Sequence, residues 1–344
     1  MIDLRSDTAT IPTAAMRAAM AAADVGDEQA REDPTVNELQ RRMAEILGKE
    51  AALFLPTATM ANQIALRTQT RPGGALLAEE RTHVLIYEAG GAAVHSGLVM
   101  TGLPGIGGRL SPEQIGDTVA TTDELQPVGA LVLENTHRSA GGRVWPVDEF
   151  AAVAATAHEL GLVVHLDGAR LFNASVAAGV PPSEWAQHAD SVTICFSKGL
   201  GCPLGAILAG SADFIERAWL SKFLFGGALR QAGVVAAAML YALDHNVDRL
   251  ADDHARARRL AEGLDAAGVP LDLDAVETNF VGIEVAELGL DDQEAIARLR
   301  ESGLRLGVLR PGVLRAATHL GVTDDDVERA IELIPQALGV LAHA

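Results

Sequence analysis

Leu162-Val163-Val164-His165-Leu166 is a short apolar run that ends at Asp167-Gly168. Val192-Thr193-Ile194-Cys195-Phe196 is a second such run, and it ends at Ser197-Lys198-Gly199. Both read as buried strands of the kind found inside parallel sheets. The stretch between them, Leu171 to Val180, is Ala- and Val-rich and long enough for a crossover helix. The segment therefore predicts a βαβ unit, a connection that is right-handed almost without exception. A helix from Asp148 to Leu160, stopped by Gly161, precedes it.

The same alternation of helices and short apolar strands runs through most of the chain and favours an α/β fold with a largely parallel sheet. One helix is unusually clear: Asp33 caps it, Pro34 fits its first position, Val36, Leu39, Met43, Ile46 and Leu47 form its apolar stripe, and Gly48 stops it. Gln231 to Leu264 reads as helical nearly throughout, long enough to bridge two domains. Beyond it lie a strand at Asn279–Val285, a helix near Asp291–Glu301, strands near Leu304–Leu309 and Val313–Thr318, and a helix opened by Thr323-Asp324-Asp325-Asp326. The expected division is a large domain over residues 1–240 and a small α+β domain over 241–344, consistent with a length of 344 residues. There is no internal repeat and no low-complexity linker.

Composition narrows the function. Lys plus Arg number 27 against 46 Asp plus Glu, a net charge of −19, which argues against nucleic acid, whose affinity comes mainly from cations on phosphates. Two cysteines, Cys195 and Cys202, make no disulfide framework, and no Cys or His cluster has metal spacing, so no metal is expected. No run of about 18 apolar residues exists to span a membrane. Met1-Ile2-Asp3-Leu4-Arg5 puts charge where a signal peptide has its apolar run. A cytoplasmic protein is expected.

The strongest chemical signal is Asp167 with Lys198, each just past the carboxyl end of a predicted strand, where open α/β sheets build their sites. A lysine there can form a Schiff base with an aldehyde, and an Asp on the neighbouring strand end suits a pyridinium nitrogen. Together they meet the protein's side of pyridoxal phosphate chemistry. Singly, each has a plainer reading, a turn-capping Asp and an exposed Lys on a Gly-rich loop. Phe54-Leu55-Pro56-Thr57-Ala58-Thr59 offers a hydroxyl-rich turn and a helix start for a phosphate, or an ordinary Thr cap. His83 is a candidate for ring stacking and acid–base work. His165 is expected in the core, on the sheet face opposite Asp167. Arg170 lies close enough to Asp167 to reach the same pocket. Arg315 interrupts an apolar strand, where it either snorkels to solvent or binds a carboxylate. Gly102-Leu103-Pro104-Gly105-Ile106-Gly107-Gly108 has no acid after a second strand at the distance a dinucleotide fingerprint needs, and Pro104 spoils its tight turn.

Leu4-Arg5-Ser6-Asp7-Thr8, Glu32-Asp33-Pro34-Thr35-Val36-Asn37, Gly48-Lys49-Glu50-Ala51-Ala52, Glu88-Ala89-Gly90-Gly91 and Leu133-Glu134-Asn135-Thr136-His137 form a series with Asp167-Gly168-Ala169-Arg170-Leu171-Phe172-Asn173-Ala174, Ser197-Lys198-Gly199-Leu200-Gly201 and Leu229-Arg230-Gln231. In order and spacing this series resembles the low-specificity L-threonine aldolases, from residue 1 to the Thr318-His319-Leu320 segment. The resemblance implies a fold-type I pyridoxal phosphate enzyme: a large domain with a mostly parallel sheet flanked by helices, a small C-terminal α+β domain, and a homotetramer with active sites at dimer interfaces. It implies that Lys198 carries the cofactor as an imine, that Asp167 pairs with the pyridine nitrogen and that His83 stacks on the ring. Thr57, Ala58 and Thr59 would cradle the phosphate. Arg170 would contact a cofactor oxygen or the substrate carboxylate, and Ser6 and Arg315 would bind that carboxylate. Arg230 and Lys222 would approach the phosphate, from the neighbouring subunit.

The implied reaction cleaves L-threonine, L-allo-threonine and related β-hydroxy-α-amino acids to glycine and an aldehyde, with His83 handling the hydroxyl proton. Three departures stand out: Ala58 where the family has Gly, Gln29-Ala30-Arg31 in place of Val-Tyr-Gly, and no histidine in the loop expected over Asp117–Val128. Loss of the tyrosine motivates an alternative preference for a bulkier substrate such as phenylserine. A nicotinamide-dependent oxidoreductase rests only on the Gly102–Gly108 cluster.

Overall fold

The computed structural model describes residues 1–122 and 125–340. Its strands are β1 Ile2–Leu4, β2 Ala51–Leu55, β3 Ala75–Glu79, β4 Val99–Leu103, β5 Val128–Glu134, β6 Val163–Gly168, β7 Ser191–Cys195, β8 Ala206–Gly210, β9 Phe280–Ile283, β10 Leu304–Arg310 and β11 Val313–Ala317. Seven of them form one sheet in the order β2-β8-β7-β6-β5-β3-β4, in which only β8 runs antiparallel to its neighbours. β6 and β7 are hydrogen-bonded parallel neighbours, joined by the expected crossover helix, Leu171–Ala178. The remaining four strands form a small sheet, β1-β10-β11-β9.

Parallel strands buried by helices on both faces need apolar residues throughout, and β6, β7 and β8 meet that need with almost wholly buried stretches. Trp145, Phe150, Trp185 and Phe196 fill the main core, with Leu39, Met43 and Leu47 from the helix Pro34–Leu47. A separate core built on Leu260, Leu264, Val281, Leu304, Leu314 and Ile334 lies under the small sheet. Asp33 and Gly48 cap the helix Pro34–Leu47 as expected, and Thr323 with Asp326 makes a full capping box before the helix Asp324–Leu338.

Three local expectations are corrected. Gln231–Leu264 is two helices, Gly233–His245 and Leu250–Ala266. The break falls where Asn246 caps the first helix and its amide donates to the Leu200 carbonyl at 2.8 Å, a competing bond of the kind that stops helices. Asp117–Val128 is not a loop throughout: a helix runs to Thr121, and β5 begins at Val128, while residues 123 and 124 lie outside the described residues. Finally, His165 shares a face with Asp167, because residues two apart on a strand point the same way. One side chain, Asn62, touches both.

Candidate active site

Chemistry-bearing residues gather along one edge of the large sheet, at the carboxyl ends of β2, β3, β5, β6 and β7. Asp167 sits at the end of β6, opposite Glu134 on β5 and Thr193 on β7. It is buried, its Oδ2 accepts from Asn62 Nδ2 at 2.8 Å, and its Oδ1 accepts the Ala169 N–H at 3.1 Å. His83 opens the short helix that follows β3. Its Nδ1 lies 2.9 Å from Glu88 Oε1, and its backbone N–H donates to Glu134 Oε2 at 2.6 Å. Burial lowers the His83 pKa, but Glu88, Asp167 and Glu134 outweigh it and leave it raised. His83, Glu88 and Asp167 bring one ligand-type atom each within 4.8 Å of one another.

Lys198 follows β7. Its backbone is held by the Thr10 hydroxyl, which donates to the Lys198 carbonyl at 2.8 Å. Among the described residues its Nζ makes no hydrogen bond and no ion pair within 4.0 Å, and its charge acts on the Asp7 carboxylate. Nearby, Arg170 makes two 2.7 Å bonds to the buried Asp7 and stacks 4.8 Å over Phe280. Burial raises the Asp7 pKa, but Arg170 and Lys198 prevail and hold it well below the usual carboxylate range. Arg315, on β11, stacks on the same Phe280 ring at 4.7 Å. Two of its nitrogens donate to the Arg5 carbonyl, and the third, Nη1, is buried without a partner. Burial, with Arg170 and Arg138 adding repulsion, pushes the Arg315 pKa down to about 10, so it remains charged at neutral pH. Ser6 lies one residue along, its hydroxyl accepting the Thr8 N–H. A separate cleft of about 400 Å³, lined by Glu79, His137, Arg143 and Glu284, reaches Phe280 and contains neither Lys198 nor Asp167.

The turn after β2 supplies an open helix start. Thr57 caps the helix Ala58–Gln69 by accepting the Met60 N–H, and Thr57 and Thr59 are exposed. Ala58 lies inside that helix and does not have positive φ, so the absent glycine costs nothing there. The loop from Gly226 to Arg230 packs on this turn so closely that a Cβ at Gly227 would lie 2.4 Å from the Met60 sulfur. Arg230 is exposed and pairs with Asp27 at 2.9 Å.

Lys222 is corrected. It belongs to the buried stripe Phe214, Ile215, Ala218, Lys222 of the helix Ala212–Leu224. Its ammonium is fully buried, pairs with Glu28 and donates to the Phe54 carbonyl, so it faces the interior of its own chain and reaches no neighbour's phosphate. Glu28 also accepts the Leu229 N–H, which ties down the start of the Arg230 segment. Gly108, within the glycine cluster, packs on His137: a Cβ there would lie 2.4 Å from the imidazole, so this cluster shapes a side-chain contact rather than a nucleotide turn.

With this geometry in view, comparison with known proteins is decisive. The family model for beta-eliminating lyases matches residues 3–288. The chain belongs to that family. Within it, a probable low-specificity L-threonine aldolase 2 of Arabidopsis thaliana is 41% identical over 95% of this chain and 94% of its own. The low specificity L-threonine aldolase of Escherichia coli strain K12 is 41% identical over 95% of this chain and 96% of its own. A solved threonine aldolase from Leishmania major superposes with a TM-score of 0.85 at 20% identity, covering 98% of this chain and all of that one, a likeness of fold.

For a beta-eliminating lyase the donor set fits pyridoxal phosphate: a free strand-end amine, a buried carboxylate held only by neutral donors, an open helix start and an orphaned guanidinium nitrogen. Asp7, Asn62, Glu88 and Glu134 were given no role by sequence reasoning. Glu88 follows His83 by five residues and Asp7 stands beside Ser6, yet a carboxylate's partner across the fold leaves no local signature.

Proposed function

We propose that the protein is a pyridoxal phosphate-dependent aldehyde-lyase that cleaves L-threonine, L-allo-threonine and related β-hydroxy-α-amino acids to glycine and an aldehyde. The observation that carries this reading is the Lys198 amine, free of hydrogen bonds, just past the strand beside that of Asp167, with Asp7 under the charge of both Lys198 and Arg315, whose Nη1 is unsatisfied. Lys198 would hold the cofactor covalently, Asp167 its ring nitrogen, and the Thr57–Thr59 turn its phosphate. When bound, the cofactor supplies an electron sink for the pair released as the Cα–Cβ bond breaks.

The chain's own residues do the rest. Arg315 clamps the substrate carboxylate through Nη1, with Ser6 beside it, and fixes the Cα–Cβ bond in the orientation cleavage needs. Glu88 holds His83 Nδ1–H, which leaves Nε2 as the free base. Nε2 takes the β-hydroxyl proton as the Cα–Cβ bond breaks, so Cβ leaves as the aldehyde carbon and Cα gains a proton to become glycine. Arg170, neutralised by Asp7, shapes the pocket and keeps one hydrogen-bonding edge towards it. In the division proposed at residue 240, residues 1–240 would carry the groups that hold the cofactor and 241–344 the carboxylate-binding Arg315, with β1 joining the small sheet and the helix Gly233–His245 running across the boundary. Assembly as a homotetramer, with Arg230 turned to a neighbour's phosphate, and a cytoplasmic setting complete the reading. Among the described residues, no helix is long and apolar enough to cross a membrane.

The visible spectrum of the purified protein tests it. A yellow band that gives way to a longer-wavelength band on adding glycine is expected, with acetaldehyde released from threonine. A colourless protein that stays unchanged when pyridoxal phosphate is supplied would overturn it. Specificity constants on threonine and phenylserine separate the two substrate preferences.

A further inference from the structure

We infer that His165 is a positioning residue for Asp167: a neutral imidazole, protonated on Nε2, in a row of hydrogen bonds that all point from Gln69 towards the Asp167 carboxylate. Donor counting leads there. Asn62 Nδ2 lies 2.9 Å from Glu88 Oε1 and 2.8 Å from Asp167 Oδ2, and both of those oxygens only accept. Both Asn62 hydrogens are therefore spent and its orientation is set. Its Oδ1 then faces His165 Nε2 at 3.1 Å, and an amide oxygen can only accept, so Nε2 carries a proton.

The other ring nitrogen, Nδ1, lies 2.7 Å from Ser191 Oγ. Two arrangements fit those atoms. In one, Nδ1 also carries a proton, the ring is an imidazolium, and Ser191 donates onward to Gln69. In the other, Nδ1 accepts the single Ser191 hydroxyl proton, and the Gln69 amide, placed with Oε1 2.7 Å from Ser191 Oγ, is exchanged end for end so that its nitrogen donates to Ser191.

The surroundings select the second. His165 is buried, and among the described residues its ring nitrogens face Asn62 and Ser191, both neutral. Gln69 is neutral too, and among the described residues the charge that acts on the ring is Asp167, on the same strand. Burial pushes the His165 pKa down to about 4, against a charge there. The result is the sequence Gln69 → Ser191 → His165 → Asn62 → Asp167, with a branch from Asn62 to Glu88. Asp167 thereby stands at the accepting end of a row of oriented neutral dipoles. An imidazolium two residues away would instead cancel the charge that a protonated cofactor ring needs. The branch through Glu88 ties the same row to the ring of His83.

The row of bonds belongs to the apoenzyme, and its consequence for the cofactor rests on the function proposed above. Nitrogen-15 NMR of labelled apoenzyme near neutral pH, with His165→Gln used for assignment, should show one pyrrole-type nitrogen, Nε2, and one pyridine-type nitrogen. Two pyrrole-type nitrogens, or a proton on Nδ1, would overturn the inference. Titration of apoenzyme with pyridoxal phosphate gives the second readout. His165→Gln, which can donate to Asn62 and accept from Ser191 without charge, should stay within about threefold of the parent in Kd. His165→Leu should lose about tenfold, the scale typical of outer-shell partners.

A Leu variant that binds as tightly as the parent would overturn the inference, as would a Gln variant as weak as Leu. If the Leu variant does not fold, the NMR result decides alone. A parent apoenzyme that takes up no pyridoxal phosphate would sink the cofactor reading and leave the tautomer result standing.

Discussion

Arg315 owes its character to being unfinished: a buried cation with two nitrogens on one carbonyl and a third on nothing. An orphaned donor of this kind costs on the order of 1–3 kcal/mol, a cost that a bound carboxylate removes. Arg315→Ala is therefore expected to raise KM for the amino acid at least about tenfold with a smaller change in kcat, as loss of a binding contact should; an unchanged KM would place the carboxylate elsewhere. Lys198→Ala should leave no cofactor that borohydride can fix to the protein, and a fixed adduct in that variant would refute its role. His165 gives one contribution to the pH dependence, opposite in sign to that of His83, whose pKa is raised. The folded His165 pKa of about 4 lies below the unfolded value of about 6.5, so the unfolded chain binds more protons between those values. Stability should then rise with pH from about 4 to 6.5, and acidification across that window should cost on the order of 3 kcal/mol. His254, pushed down to about 4 by burial, acts in the same direction. Urea midpoints measured across this range should fall on acidification, and less steeply in His165→Gln. Lys198, Asp167, His83 and Arg315, to which the proposed function gives the chemistry, were picked out from strand ends, an interrupted apolar strand and the family resemblance. Their supports were not. Asn62 and Asp7 matter through partners 105 and 163 residues away, a distance that no local pattern encodes.

At the level of elements, the sequence marks were those that act locally. Asp33, Pro34 and Gly48 bound their helix because capping needs only neighbouring residues. Asp33 also does something its neighbours do not reveal. Its Oδ2 accepts from Gly26 at 3.2 Å and from Gly233 at 2.8 Å, which joins this helix start to that of the helix Gly233–His245. Asp33→Ala should accordingly cost more than a cap alone, about 3 kcal/mol once the buried N–H groups are left open. Equilibrium urea unfolding checks this, and a loss below about 1 kcal/mol would show that water replaces the carboxylate. Long-range pull explains the elements that sequence reading missed. The break at Asn246 depends on the Leu200 carbonyl, and the inward turn of Lys222 depends on Glu28. Helical spacing did carry a signal for Lys222, since it lies four residues beyond Ala218 on the apolar stripe.

For the whole molecule, the exposed apolar residues Leu220, Phe223 and Leu224 of the helix Ala212–Leu224 form a face that a solitary chain would leave in water. Val94 is exposed as well. Light scattering should give a dimer or tetramer, and Leu224→Asp should lower the mass and weaken activity together; a monomer of full activity would overturn the shared-site reading. The small sheet brings distant parts of the chain into register, pairing Ile2–Leu4 with Leu304–Leu306, while Arg315 rests on the Arg5 carbonyl. This has a consequence in time. At about 5–20 residues per second on the ribosome, the first strand waits roughly 15–60 s for its partner. Lys198 and Asp167 emerge well before Arg315. On the function proposed above, the groups that hold the cofactor are therefore synthesised before the guanidinium that would bind the substrate carboxylate, and the small sheet that seats Arg315 closes last.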